Sequence, residues 1–300
     1  MMKIVITGSL GHIGRPLTEV LVKKGHAVTV ISSQPDKQTA IAALGATAAI
    51  GSLEDSNFLE SAFTKADAVF AMVPPNFGEA DQVAYYRRIS RNYVQALQRS
   101  GVRRVVHLSS YGAHLARDSG FILGSHHAEA ILNELPEVAL THLRPGYFYY
   151  NLFGFIGMIK SAGFMGAVYG GNDKIVLVAP GDIAQAAAEE IVTPATGQTV
   201  RYVASDERTA AEIAQVLGAA IGKPDLRWVT LTREQMREGL EQRGLPPHLI
   251  ANFVELGASL HSGALLADYE RHKPVALGRV KLEDFAPEFA AAFGWKELRG

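Results

Sequence analysis

The chain has 300 residues, 48% of them hydrophobic and 20% charged, with 29 basic and 30 acidic side chains and a formal net charge of -1. That length supports one large core, or a main domain with a smaller lobe, and the composition is that of an ordinary globular protein. So even a charge balance gives no field to gather nucleic acid or to coat an anionic membrane, and the lack of cysteine excludes disulfides, thiolate nucleophiles and cysteine metal sites.

Lys3 and Gly8 interrupt any signal-peptide core at the N-terminus, so the expected compartment is the cytoplasm. KIVITG (3–8) is a β-branched run ending in glycine, and HIGRPLTEVLVKKGH (12–26) carries apolar residues at helical spacing up to Gly25. Strands follow at 27–32, 46–51, 67–75, 102–110 and 138–144, separated by helices at 38–45, 55–66, 79–101 and 125–135. Strict strand–helix alternation predicts a parallel sheet covered on both faces. In the helix 79–101, Tyr85, Ile89 and Tyr93 fall on one side, while Arg87, Arg88 and Arg91 read as a solvated or interface face rather than a nucleic-acid patch. After residue 145 the rhythm loosens. Helices are expected at 182–192 and 209–222, strands at 198–204 and 226–231, and mostly helix over 233–266. The segment 145–159 is apolar but short and rich in tyrosine and glycine, so it reads as a buried or pocket-lining segment, not a membrane span.

ITGSLGHIG places Gly8, Gly11 and Gly14 directly after a strand and at the mouth of a helix. In that context the pattern signals dinucleotide binding. The first glycine permits the tight turn, the second lets backbone approach a pyrophosphate, and the third lets helix pack on sheet, with the anion at the helix N-terminus. Leu10, His12 and Ile13 complete the expected cofactor loop. The second strand ends without an acid at its tip and runs into Ser32, Ser33, Gln34, Pro35, Asp36 and Lys37. An acid there usually holds the ribose of NAD. Ser32 and Ser33 with Lys37, His12 or Arg15 suit a 2′-phosphate instead, so NADP is expected, with NAD as the alternative if Asp36 takes the ribose.

The chain resembles the NmrA-like group of atypical short-chain dehydrogenases/reductases. The resemblance rests on the TGxxGxxG form of 7–14, MVPPN (72–76), VRRVVHLSS (102–110), LRPGYFYYN (143–151), PGDIAQAAA (180–188) and SDERTAAEIAQVLGAAIGK (205–223). It implies a Rossmann-type doubly wound α/β domain over 1–150. It also implies a smaller, mainly substrate-binding C-terminal lobe over 151–300, some of whose segments return to the main domain. Val73, Pro74 and Pro75 are expected along the cofactor, and Asn76 and Phe77, near the cofactor ribose or nicotinamide, are expected to contact the substrate. Catalytic relatives use a serine or threonine after the fifth strand, a tyrosine, and a lysine four residues past it. On this chain Ser109 or Ser110 keeps the first role, but Phe121 stands at the tyrosine position and Ser125 at the lysine position, with Glu129 closing the series.

Phenylalanine has no proton to give, and serine cannot act as the ammonium does. Tyr111, His114, His126 and His127 are the substitute donors in this stretch, Tyr111 and His127 foremost, against a plain reading of the histidines as surface or capping groups. No metal site is expected, because the adjacent pair 126/127 points apart on a helix. Tyr147, Phe148 and Asn151 lie just after the sixth strand, where ligands of doubly wound sheets bind, and suit a flat, mostly apolar substrate, or else a core seam. The expected function is an NAD(P)H-dependent oxidoreductase acting on a quinone or enone. The alternative is a dinucleotide-sensing regulator that binds a protein partner without turnover. A small-molecule substrate is the expected partner, a homodimer or protein partner is left open, and neither nucleic acid nor membrane is expected.

Overall fold

The computed structural model describes residues 1–294. In chain order the first elements are β1 (Lys3–Ile6), α1 (Gly14–Lys23), β2 (Ala27–Ser32), α2 (Lys37–Ala43), β3 (Thr47–Ile50) and α3 (Ser56–Phe63). They continue as β4 (Ala68–Met72), α4 (Gln82–Ser100), β5 (Arg104–Leu108), α5 (Ile122–Leu132) and β6 (Ala139–Pro145). Then come β7 (Tyr147–Phe148), a 3-10 turn over Tyr149–Phe155, α6 (Ile156–Ala162), β8 (Met165–Ala167), β9 (Lys174–Val178), α7 (Pro180–Val192) and β10 (Gln198–Val203). The last are β11 (Asp206–Thr209), α8 (Ala210–Ala220), β12 (Trp228–Thr230), α9 (Arg233–Gln242), α10 (Pro247–His261), α11 (Leu266–Arg271) and α12 (Leu282–Gly294).

The chain divides into two units. The first comprises Met1–Ala113, Phe121–Pro145 and Pro180–Val203. Its sheet has seven strands in the order β10-β6-β5-β4-β1-β2-β3, and every neighbouring pair is parallel. This is a doubly wound Rossmann-type sheet, and its order reverses between β1 and β4. The central strands β1, β4, β5 and β6 are rich in valine, isoleucine, leucine and alanine and are almost wholly buried, which a sheet covered by helices requires. α4 shows how one helix is specified. Asp81 caps its start by accepting the Ala84 N–H, and Gly101, at φ 76°, ends it in the left-handed conformation. Tyr85, Ile89, Tyr93 and Leu97 enter the core with Leu59, Phe63, Val69 and Val105, while Arg87, Arg88 and Arg91 stay exposed. β4 stops at Met72, earlier than the strand read to residue 75, because two prolines follow that cannot donate to a ladder.

The second unit comprises His114–Gly120, Gly146–Ala179 and Ala204–Gly300. It holds a three-stranded sheet, β11-β9-β7, and a two-stranded sheet, β12-β8. The segment 145–159 is not one helix: it is the end of β6, then β7, the 3-10 turn and the start of α6. A second apolar stretch, Pro247–Arg271, is long and apolar enough to cross a bilayer by length and composition. It is divided between α10 and α11 by a turn at 262–265, and Ile250 and Val254 pack with Leu240 in a small core.

Candidate cofactor and active site

The loop after β1 is built from inside. Thr7 donates its N–H to the Phe70 carbonyl, and the Ser9 N–H donates to the Ile31 carbonyl, so the loop hangs from both neighbouring strands. The Thr7 hydroxyl accepts from the Met72 N–H at 2.9 Å, and the buried Tyr93 hydroxyl donates to the Met72 carbonyl at 2.6 Å. The ends of β1 and β4 are thereby laced together at the switch point.

Three glycines do three different jobs. Gly8 has φ 90°, and a Cβ there would sit 2.2 Å from the Met72 sulfur. A Cβ on Gly14 would sit 2.0 Å from the Ser9 carbonyl oxygen, so this glycine lets the helix start against the loop. Gly11 is exposed, and a Cβ there would meet only the Gly8 oxygen at 3.6 Å, an ordinary contact. The fold demands glycine at 8 and 14, but at 11 it leaves open space. That space is the cradle a pyrophosphate needs. No side chain caps α1 and no acid stands in its first turn, so its leading N–H groups suit an anion. Leu10 is half-buried, His12 is exposed, and Ile13 is buried in the core. The residues fit a dinucleotide.

At the tip of β2, Ser32 is buried and its hydroxyl is committed. It pairs with the Ser9 hydroxyl at 3.0 Å and accepts the Gln34 N–H at 3.2 Å. Its role in the chain is to close the loop, which the sequence did not disclose. Ser33 and Asp36 are exposed, and Lys37 is half-buried at the start of α2.

Beyond β4, Val73 is buried, Pro74 is half-buried, and Pro75, Asn76 and Phe77 are exposed. The Asn76 side-chain oxygen accepts the Gly78 N–H at 3.2 Å, so it shapes the turn. The Gln82 amide donates to the carbonyls of Asn76 and Glu79 at 2.7 and 2.6 Å, and the Tyr85 hydroxyl donates to the Pro74 carbonyl.

Beyond β5, the Ser109 hydroxyl donates to Glu129 Oε1 at 2.5 Å. Glu129 also accepts from Arg144 Nε at 2.9 Å and Nη2 at 2.6 Å, and Arg144 Nη1 donates to the Tyr202 hydroxyl at 3.2 Å. Burial pushes the Glu129 carboxyl up, but the Arg144 hydrogen bonds and nearby charges outweigh it and hold the group below its ordinary range. Both charges are buried, and the network ties β5, α5, β6 and β10 together. Ser110 is half-buried and donates to the Tyr111 carbonyl at 3.0 Å. Tyr111 is buried, with its N–H on the Pro145 carbonyl.

α5 begins at Ile122, three residues before the predicted start, so His126 and His127 lie mid-helix instead of opening it. His126 Nδ1 donates to the Ala113 carbonyl at 2.9 Å. His127 is half-buried, and burial first, then the charge of Arg87 and His126, holds its pKa below the ordinary value. Phe121 sits at the helix start and packs edge-on against Phe77, with ring centroids 5.8 Å apart at 84°. Deeper in the sheet, His107 and His142 stand opposite each other on β5 and β6 with Nδ1 atoms 2.9 Å apart, a pair the sequence reading passed over.

In the second unit, Tyr147 is half-buried and hydrogen-bonded to Tyr169, and burial pushes its pKa up to about 12. Phe148 stacks on Tyr150 at 5.1 Å, and Asn151 is exposed.

Residues 8–151 match the model of a family described as NAD(P)H-binding. The NAD(P)H azoreductase of Xenophilus azovorans is 28% identical over 97% of this chain and 99% of its own. The NADPH-dependent quinone oxidoreductase of Escherichia coli, solved with NADPH, superposes with a TM-score of 0.81 at 23% identity, over 95% of this chain and 99% of its own. The triphenylmethane reductase of a Citrobacter species superposes at 0.80 with 18% identity, over 96% and 99%. The two structural likenesses carry the fold. Together with the family match, the open cradle at Gly11 makes this first unit an NAD(P)H-binding domain.

Proposed function

We propose that this chain is an NADPH-dependent reductase of flat, conjugated acceptors of the quinone or enone class, and a relative of the NmrA-like atypical short-chain dehydrogenases/reductases. One observation carries the choice of acceptor. At the position where related catalysts keep their acid stands Phe121, and the neighbouring Ser109 hydroxyl is committed to Glu129. The azoreductase, quinone reductase and triphenylmethane reductase likenesses support a reductase reading.

Gly8, Gly11 and Gly14 hold the pyrophosphate on the start of α1. Ser33, Lys37 and His12 take the 2′-phosphate, with Ser32 shaping the loop behind them. Val73, Pro74 and Pro75 border the nicotinamide half. Within the second unit, Tyr147, Phe148 and Asn151 are the proposed substrate contacts. Bound NADPH would supply the hydride, which with one proton would take a quinone to the hydroquinone and leave NADP⁺. The incoming charge spreads over the quinone ring and both oxygens, so the proton is drawn from water without a positioned donor. A simple ketone would concentrate that charge on one alkoxide, where positioned acid catalysis is worth about 10²–10⁴-fold. For the quinone the chain's part is orientation and proximity.

Nicotinamide absorbance followed in stopped flow tests this. NADPH is consumed rapidly with quinones and slowly or not at all with simple ketones, and Tyr111→Phe or His127→Ala changes quinone turnover less than about tenfold. Tight NADPH binding without consumption by any acceptor would sink the reductase reading and leave a dinucleotide sensor.

A further inference from the structure

We infer that Phe77 and Phe121 form an aromatic clamp that selects fused-ring acceptors over small non-aromatic ones. The inference rests on the reading of the first unit as a reductase site and names what that site prefers. Among the described residues, Phe77 is the aromatic side chain left exposed, at 55%. It is not exposed on a loose loop. On either side of it the backbone is pinned: the Pro74 carbonyl by Tyr85, the Asn76 carbonyl by Gln82 and the Glu79 N–H, and the Gly78 N–H by Asn76. Gln82, which makes two of the bonds to this loop, is itself buried. Arg88 holds Glu79 from outside at 2.8 Å.

A large apolar ring held in water by a pre-ordered loop contributes little to folding. It is suited to binding, because the entropy of ordering it has already been spent. Its position agrees. β4 and β5 are parallel neighbours, so Phe77 after β4 and Phe121 after β5 both lie beyond the carboxyl ends of the strands, where doubly wound sheets take their ligands. The edge-on contact at 84° sets the two ring planes nearly perpendicular. A planar guest lying on one ring therefore presents its edge toward the other, an arrangement aromatic quadrupoles favour. Phe121 thus replaces an acid with a wall. One ring is far too small for a protein interface, which needs about 800 Å² per partner. The occupant is a small planar aromatic.

The test uses a redox-inert guest, so it does not depend on turnover. The full chain, saturated with NADP⁺, is titrated with 2-naphthol and separately with cyclohexanone by calorimetry. Naphthol binds more tightly. Phe77→Ala weakens naphthol by about tenfold or more, leaves cyclohexanone within about threefold and leaves NADP⁺ affinity unchanged, while Phe77→Trp retains naphthol binding. No naphthol binding, equal losses for both guests, or an unchanged naphthol affinity in Phe77→Ala overturns the clamp. Naphthol binding that depends on Phe77 in a protein inert toward quinones supports the clamp and defeats the reductase proposal. Quinone turnover with Phe77-independent naphthol binding does the reverse.

Discussion

The loop at 8–14 and the segment at 109–129 both follow strands of the same sheet, yet they use their residues in opposite ways. In the glycine loop, the chain's own needs and the ligand's needs fall on different residues. Gly8 is required by its φ of 90° and Gly14 by the Ser9 carbonyl, while a side chain at Gly11 would meet only an ordinary contact. In the second segment, polar groups are turned inward. Ser109 and Glu129 serve a buried ion pair with Arg144, and Phe121 makes an apolar surface. The difference teaches that a polar residue's place after a strand does not decide its surroundings; the hydrogen bonds it makes within the chain do.

The largest effect expected from breaking this contrast is in the ion pair. Arg144→Met leaves the Glu129 carboxylate buried without its partner and should cost about 3–5 kcal/mol of stability in chemical denaturation. The double variant Glu129→Leu with Arg144→Met should recover most of that loss. A single variant within about 1 kcal/mol of the parent would mean that water reaches the site and that Ser109 is not held in a dry network.

The His107–His142 pair gives the next effect. His142 Nε2 donates to Asn133 Oδ1 at 3.0 Å, so its Nδ1 accepts the proton of His107 Nδ1. Both rings are neutral. Burial lowers the pKa of His142 to about 4, and burial and then His142 hold His107 well below the ordinary 6.5. The unfolded chain takes these protons first as pH falls, so the stability is fully present above about 6.5 and is lost as pH drops through about 4. His142 alone accounts for roughly 3 kcal/mol across that window. Denaturation at stepped pH should show this slope in the parent, and His107→Val with His142→Val should flatten it. Parallel profiles for the two proteins would contradict the neutral pair.

The parts of the molecule legible in the sequence were those carried by local periodicity. The apolar face of α4, the parallel strands up to β6 and the glycine loop all announce themselves within a few residues. What was not legible depended on distant partners. β7, β8 and β11 are two to four residues long and owe their existence to strands far along the chain. β9, KIVLV, did carry a β-branched signal that the loosened rhythm after residue 145 obscured. The bond between the Ser9 and Ser32 hydroxyls was not legible because nothing local to Ser32 reveals Ser9 beside it. The network of Ser109 with Glu129 and Arg144 was not legible because Glu129 lies twenty positions on and Arg144 further still. The exposure of Phe77 follows from Gln82 and Tyr85 holding the loop, which no pattern of residue types announces.

Gly11→Val tests the division of labour in the glycine loop most directly. Calorimetric titration with NADPH, run beside denaturation of the same samples, compares it with the parent and with Gly14→Ala. Gly14→Ala should lose about 1–3 kcal/mol of stability, because its Cβ has nowhere to go. Gly11→Val should stay within about 1 kcal/mol of the parent, because its side chain enters open space, and yet bind no NADPH. Undiminished NADPH affinity in a folded Gly11→Val would contradict the account, and so would a loss of affinity that merely tracks unfolding.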